Sequence, residues 1–151
     1  MDNNDVLRGL RYALQLSDGE LARIMALGGE PLSISQVQDR LMREGEVGAV
    51  YCTNEILGAF LDGLIVDRRG PPDPDRPAPP KLPLSNNEVL KKIRVALKLR
   101  DAQLLEILEA GGQPMSKAEL SALFRKPSHR HFRLCGDQIM RVFLRGLGRL
   151  R

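Results

Sequence analysis

Asn3-Asn4-Asp5-Val6-Leu7-Arg8-Gly9-Leu10-Arg11-Tyr12-Ala13-Leu14-Gln15-Leu16 returns 83 positions later as Asn86-Asn87-Glu88-Val89-Leu90-Lys91-Lys92-Ile93-Arg94-Val95-Ala96-Leu97-Lys98-Leu99. The correspondence runs without a gap from residues 3–64 onto 86–147, with 21 identities in 62 positions. Many of the differences exchange one apolar residue for another, as Leu10 for Ile93 and Val37 for Leu120. Identity at a third of the positions over that length marks an internal duplication, so the unit to be read is a segment of about 65 residues present twice.

Each copy reads as four helices. Val6, Leu7, Leu10, Ala13 and Leu14 recur at three- and four-residue spacing, which predicts a first helix opening near Asn4, or Asn87 in the second copy, with that asparagine as its cap. The second helix starts at Ser17-Asp18-Gly19-Glu20, which has capping-box spacing, or at Asp101, and stops at Gly28-Gly29 or Gly111-Gly112. Pro31 or Pro114 prevents continuation, and Ser33-Ile34-Ser35-Gln36 or Ser116-Lys117-Ala118-Glu119 opens the third. The fourth follows Asn54 or Asp137 as cap and buries Ile56, Leu57, Phe60, Leu61 and Leu64, or Ile139, Met140, Phe143, Leu144 and Leu147. No alternating strand pattern of useful length occurs. The expected fold is all-α: two tandem four-helix repeats, residues 1–66 and 86–151.

Residues 67–85 join them, and the stretch from Gly70 to Pro83 holds seven of the ten prolines. That composition favours an extended polyproline II spacer, which spans roughly 40 Å between Pro71 and Pro83. The repeats are then either packed with pseudo-two-fold symmetry or held apart. An apolar share of 42% suits a globular core, and the 4% aromatic content without Trp means that Leu, Ile, Val, Met and Ala build it. No apolar run approaches the roughly 20 residues that cross a bilayer, and residues 1–20 carry no signal-like apolar segment, so a soluble cytoplasmic protein is expected. Two cysteines, Cys52 and Cys135, form no disulfide framework.

The paired openings Asn3-Asn4-Asp5-Val6-Leu7-Arg8 and Asn86-Asn87-Glu88-Val89-Leu90-Lys91, with Cys135-Gly136-Asp137-Gln138 and Phe143-Leu144-Arg145-Gly146-Leu147, resemble the YehS-like bacterial proteins of unknown function. The similarity covers nearly the whole chain outside the linker. The resemblance implies a duplicated helical protein of the bacterial cytoplasm, and it carries no functional residues with it.

Charge separates the copies. Residues 1–66 hold five basic and ten acidic side chains, net −5; residues 86–151 hold fourteen and six, net +8. Most of the excess follows Leu123, where Arg125, Lys126, Arg130, Arg133, Arg141, Arg145, Arg149 and Arg151 face only Asp137. Arg141, Arg145 and Arg149 fall at four-residue steps and form one stripe opposite the buried face of the last helix. The first copy has Gly58 and Asp62 where the second has Arg141 and Arg145, so the scaffold does not require arginine there. The predicted contact surface is therefore Arg125, Lys126, Arg130, Arg133, Arg141, Arg145 and Arg149, facing an acidic protein, a second copy through the oppositely charged half, or nucleic acid.

Chemistry of other kinds is weakly encoded. His129, His131 and Cys135, with Asp137, are zinc-type ligands in a short span, but the flanking arginines oppose a cation and the spacing matches no structural-zinc pattern. Cys52 and Cys135 precede helix N-termini, where a thiolate is favoured, yet no resolving cysteine is near and a small packing residue explains both. The turn Ala110-Gly111-Gly112-Gln113-Pro114-Met115-Ser116 is longer than that of a helix-turn-helix, and a helical hairpin accounts for it. Gly28-Gly29 and Gly111-Gly112 follow helices instead of opening them, so neither is a phosphate loop. The sequence points to a non-enzymatic adaptor or regulator that binds a macromolecule, with no cofactor and no small-molecule substrate; a nucleic-acid-binding regulator comes second. An enzyme or metal protein centred on residues 129–137 ranks below both.

Overall fold

The computed structural model describes residues 1–77 and 83–150, and every regular element among them is a helix. The first repeat supplies α1 (Asn3–Leu14), α2 (Asp18–Leu27), α3 (Ile34–Leu41) and α4 (Asn54–Arg69). The second supplies α5 (Asn86–Leu97), α6 (Asp101–Ala110), α7 (Lys117–Leu123) and α8 (Asp137–Arg149). The fold is all-α, with the same four-helix order twice.

Local signals set most helix starts. Ser17 with Glu20, Ser33 with Gln36 and Ser116 with Glu119 close reciprocal capping boxes, each satisfying two N–H groups that the helix itself leaves unpaired. Four caps lie upstream of the expected residue. Asp2 and Ser85 cap α1 and α5, Thr53 caps α4, and Gly136 precedes α8 without a side-chain cap, so Asn4, Asn87, Asn54 and Asp137 lie in first turns. The asparagine amides are engaged across the fold instead, as described below.

The linker also departs from a uniform spacer. Helix α4 runs through Arg69, three residues into the stretch assigned to the connection. At Asp73 the chain turns, with Arg76 N–H donating to the Asp73 carbonyl at 3.1 Å and Asp75 N–H to the Asp73 side chain at 2.9 Å. Residues 78–82 of the expected polyproline II segment lie outside the described residues.

Within a repeat, the second helix lies against the fourth at glycine pairs. A Cβ on Gly28 would fall 1.7 Å from the Ala59 carbonyl oxygen and one on Gly63 1.9 Å from that of Ile24. In the second repeat Gly111 and Gly146 meet Val142 and Ile107 at 2.0 and 1.8 Å in the same way. No side chain fits between these backbones, so α2 with α4, and α6 with α8, pack at direct contact.

Between repeats, α1 packs on α8 and α5 packs on α4, more extensively than either first helix packs on the fourth helix of its own repeat. A shift of 83 residues converts one of these pairs into the other, which is the reciprocity of a pseudo-two-fold axis. One core results. Phe60 and Phe143 have no exposed surface, and a single apolar cluster joins Leu7, Leu10 and Leu64 to Leu90, Ile93 and Leu147. Gly9 admits Leu144, whose Cδ1 would be 2.9 Å from a Cβ at that position. Lys92 Nζ pairs with Asp62 at 2.5 Å, and the Met1 ammonium with Asp137 at 3.3 Å, so charges of the two repeats also meet across the join. No described helix is long and apolar enough to cross a membrane.

Candidate macromolecule-binding surface

The surface is built from α7, the loop that returns to α8, and the outer side of α8. Pro127 cannot continue α7, and the loop turns through His129 N–H to the Lys126 carbonyl (2.9 Å) and Phe132 N–H to the His129 carbonyl (3.0 Å). Its far strand is then tied back to the helix by Arg133 N–H donating to the Ala122 carbonyl at 3.1 Å.

Both ends of the loop are held by one side chain. Buried Asn87 donates from Nδ2 to the carbonyls of Leu123 and Arg133, each at 2.9 Å, and its Oδ1 accepts from Cys135 N–H at 2.9 Å. Asn4 makes the corresponding bonds to the Val50 carbonyl and Cys52 N–H in the first repeat, but its third, at 3.4 Å, goes to the Met42 carbonyl, two residues beyond the counterpart of Leu123. The preceding asparagines complete the clamp: Asn3 Nδ2 donates to the Cys52 carbonyl and Asn54, and Asn86 Nδ2 to the Cys135 carbonyl and Asp137. A doubled asparagine in the sequence marks this clamp, although the second of each pair, Asn4 or Asn87, reads locally as a helix cap.

On this frame Arg125, Lys126, Arg130, Arg133, Arg141, Arg145 and Arg149 are all exposed. Arg133 approaches Glu119 at 3.6 Å, and among the described residues no carboxylate pairs with Arg125, Lys126, Arg130 or Arg141. Asp137 is engaged elsewhere: the Asn86 amide and then the Met1 ammonium hold its carboxyl below the usual range. Ser116 N–H does the same for Glu119, keeping it ionised.

Two of the three α8 arginines act on the fold. Arg145 donates from Nε and Nη2 to the Gly111 carbonyl at 2.9 and 2.6 Å, and Arg149 Nη1 to the Ala110 carbonyl at 2.7 Å. They meet the carbonyls left open at the end of α6, where a cation also opposes the negative end of the helix dipole. Arg141 has no such bond.

A groove of about 680 Å³ runs between α7 and the returning strand. Lys117, Glu119, Ser121, Arg125, His131 and Arg133 line it together with Ala118 and Ala122. The first repeat places Ile34, Gln36, Gln38, Met42, Gly48 and Val50 at the positions of the six polar residues. A second open groove, about 760 Å³ between α1 and α3, carries Arg8 and Arg11, but Asp5 pairs with the first and Asp18 with the second.

The imidazoles sit among these cations. His131 Nε2 accepts from Arg130 Nε at 3.2 Å, His129 Nδ1 from His131 N–H at 3.0 Å, and Arg125 Nη1 lies 3.4 Å from His129 Nε2. Cys135 is 5% exposed, and burial pushes its thiol up to about 11; Cys52, fully buried, is pushed up to about 12. His129 and His131 are exposed while Cys135 is in the core, and no three His, Cys, Asp or Glu side chains among the described residues gather as metal ligands. The cysteines pack as small apolar groups.

No solved structure matches the chain. The uncharacterised protein YehS of Escherichia coli (strain K12) is 40% identical over 147 residues, spanning 97% of this chain and 94% of that one. The model of one family of proteins of unknown function, DUF1456, matches twice, over residues 3–70 and 86–151, one match to each repeat of the fold. The chain is a member of the DUF1456 family, and its two repeats are two copies of that family's unit.

Proposed function

We propose that the protein is a non-enzymatic adaptor or regulator that holds an anionic macromolecule against the basic face of its second repeat. The contact surface comprises Arg125, Lys126, Arg130, Arg133 and Arg141, flanked by Arg145 and Arg149. The observation that carries this reading is the contrast with the first repeat, which has Met42, Arg43, Val47, Val50, Gly58, Asp62 and Val66 at those positions. Arg125, Arg130, Arg133 and Arg141 have no charged counterpart there and, unlike Arg145 and Arg149, bond no helix end through their side chains. The duplicated scaffold does not call for them, and their mutual repulsion is offset most simply by a bound anion.

Partner recovery from cell extract tests the reading, comparing the natural chain with Arg130→Ala/Arg141→Ala, which touches neither the α6 terminus nor the asparagine clamp. Loss of a partner held by the natural chain supports it, and an identical set from both chains defeats it. The opposed charges of the repeats favour a second copy as one acidic partner. Sedimentation then shows an assembly that dissociates as salt rises, because exposed charges are screened within about 10 Å at 0.1 M salt; a monomer at every salt concentration removes that partner.

A further inference from the structure

We infer that the groove between α7 and the loop returning to α8 binds the phosphate backbone of a nucleic-acid duplex, without reading its sequence. This rests on the basic face being a binding surface and names what it binds.

The chemistry of the groove separates nucleic acid from protein. A protein partner needs an apolar centre, usually with aromatic anchors, inside a polar rim. Here Phe124 is covered by the Arg94 guanidinium at 4.7 Å, Phe132 is half-buried, and the apolar lining is Ala118 and Ala122. Leu134 is the one large apolar side chain of the loop that is exposed. What the groove does present is three cations, Lys117, Arg125 and Arg133, and the Ser121 hydroxyl, against one carboxylate, Glu119, which lies 3.6 Å from Arg133. Arg130 joins at the margin through its bond to His131. Phosphate oxygens take bonds from such Lys, Arg and Ser donors and from little else in such a surface.

The corresponding face of the first repeat has the opposite character. Val47 is 98% exposed, Tyr51 60% and Ile34 51%, at the places of Arg130, Leu134 and Lys117. At the places of Lys117, Arg125, Arg130 and Arg133 the first repeat has no cation, so the cationic groove belongs to the second repeat.

Two further features choose among nucleic acids. No Phe, Tyr or Trp lines the groove, and its one ring, the His131 imidazole, is engaged by Arg130 Nε at 3.2 Å, which disfavours single strands that bind by stacking. Helix α7 has seven residues and lines the groove with Lys117, Glu119 and Ser121 beside Ala118 and Ala122. It carries no Asn, Gln or Arg to read base edges, and Glu119 is already engaged by Ser116 N–H and Arg133. Sequence-independent contact with duplex phosphates remains.

The test is fluorescence polarisation of the full chain with a labelled 20-base-pair duplex of arbitrary sequence (a size of roughly two helical turns) across salt concentrations. Four cations on phosphates predict a log–log salt slope of about −3 to −4, a loss of affinity on the order of 100-fold between 50 and 200 mM salt. Arg125→Ala/Arg130→Ala flattens the slope by about two, while Val47→Ser in the first repeat leaves it unchanged. Circular dichroism of each variant confirms an intact fold. Absence of binding at 50 mM salt, an unaltered slope in the double variant, or tighter binding of oligo(dT) than of duplex overturns the inference. If polyglutamate binds through Arg125 and Arg130 and the duplex does not, the duplex assignment fails while the broader binding role stands; if neither binds, both fall.

Discussion

The two repeats agree where their chain turns inward and differ where it faces out. Both keep the asparagine clamp, the buried cysteine after it, the glycine pair between second and fourth helices, and an ion pair from first helix to second, Arg11 with Asp18 and Arg94 with Asp101 at 3.0 and 2.9 Å. They part in the loop before the fourth helix, where one repeat exposes valines and a tyrosine and the other arginines. Divergence in this loop and on the outer faces of the third and fourth helices, over a loop held in both repeats by the same asparagine, teaches that the surface can change chemistry without changing the frame.

Breaking the shared frame should have the largest effect. Gly146→Ala places a methyl group 1.8 Å from the Ile107 carbonyl oxygen, and separating α6 from α8 should cost about 3 kcal/mol or more in a denaturant titration. Gly58→Ala is the counter-test. It lies in α4 with nothing near, so it should stabilise by about 0.5–1 kcal/mol through helix propensity alone. If both glycines behave alike, close approach is not what the glycine pair provides.

Next comes the clamp. Asn87→Ala leaves two buried carbonyls and one N–H without partners and should cost about 2–3 kcal/mol, with Asn4→Ala similar. A markedly smaller loss in one repeat would show that its loop is held by other contacts.

The buried thiols give a pH test. With folded values near 12 for Cys52 and 11 for Cys135, against an ordinary 9.0, the folded state disfavours thiolate. Stability is then complete below pH 9 and declines as pH rises from 9 toward 12, by about 1 kcal/mol per thiol at pH 10. Substituting both by Ala should flatten that alkaline limb, and iodoacetamide should label the native protein far more slowly than the unfolded chain.

The arginines of α8 should differ among themselves. Arg145→Ala removes two bonds to the end of α6 and should lower stability by about 1 kcal/mol, whereas Arg141→Ala should change it by less than about 0.5 kcal/mol. Equal effects would dissolve the distinction between an arginine that caps a helix and one that is free. Smallest of all is the effect expected from cutting the linker at an inserted protease site. Because α1 packs on α8 and α5 on α4, the two halves should still elute together from a sizing column at micromolar concentration. Separation into two folded halves would contradict the exchange of first helices.

Legibility followed the range of the interaction responsible. Capping boxes act over three residues and apolar stripes over one or two turns, so Ser17-Glu20, Ser33-Gln36 and Ser116-Glu119 and the buried face of α8 are plain in the chain. Asn4 and Asn87 were misleading for the same reason. An asparagine before an acid looks like a cap, and nothing local reveals that its amide reaches a loop 36–48 residues away. The charge of the candidate surface could be counted, but its partition could not: Arg145 and Arg149 reach α6 carbonyls 34 and 39 residues distant, a matter of helix placement that spacing along α8 does not encode.

The sequence by itself determined that there are two copies of one helical unit, where most helices begin and end, and that cations gather on the second copy. Tertiary structure decided that first helices are exchanged between copies, that backbones touch at the glycines, and which arginines remain free. The first group depends on neighbours along the chain, whose geometry a helix fixes in advance. The second depends on which surfaces meet, and an apolar stripe can bury itself equally well against its own repeat or its twin until the whole core is packed.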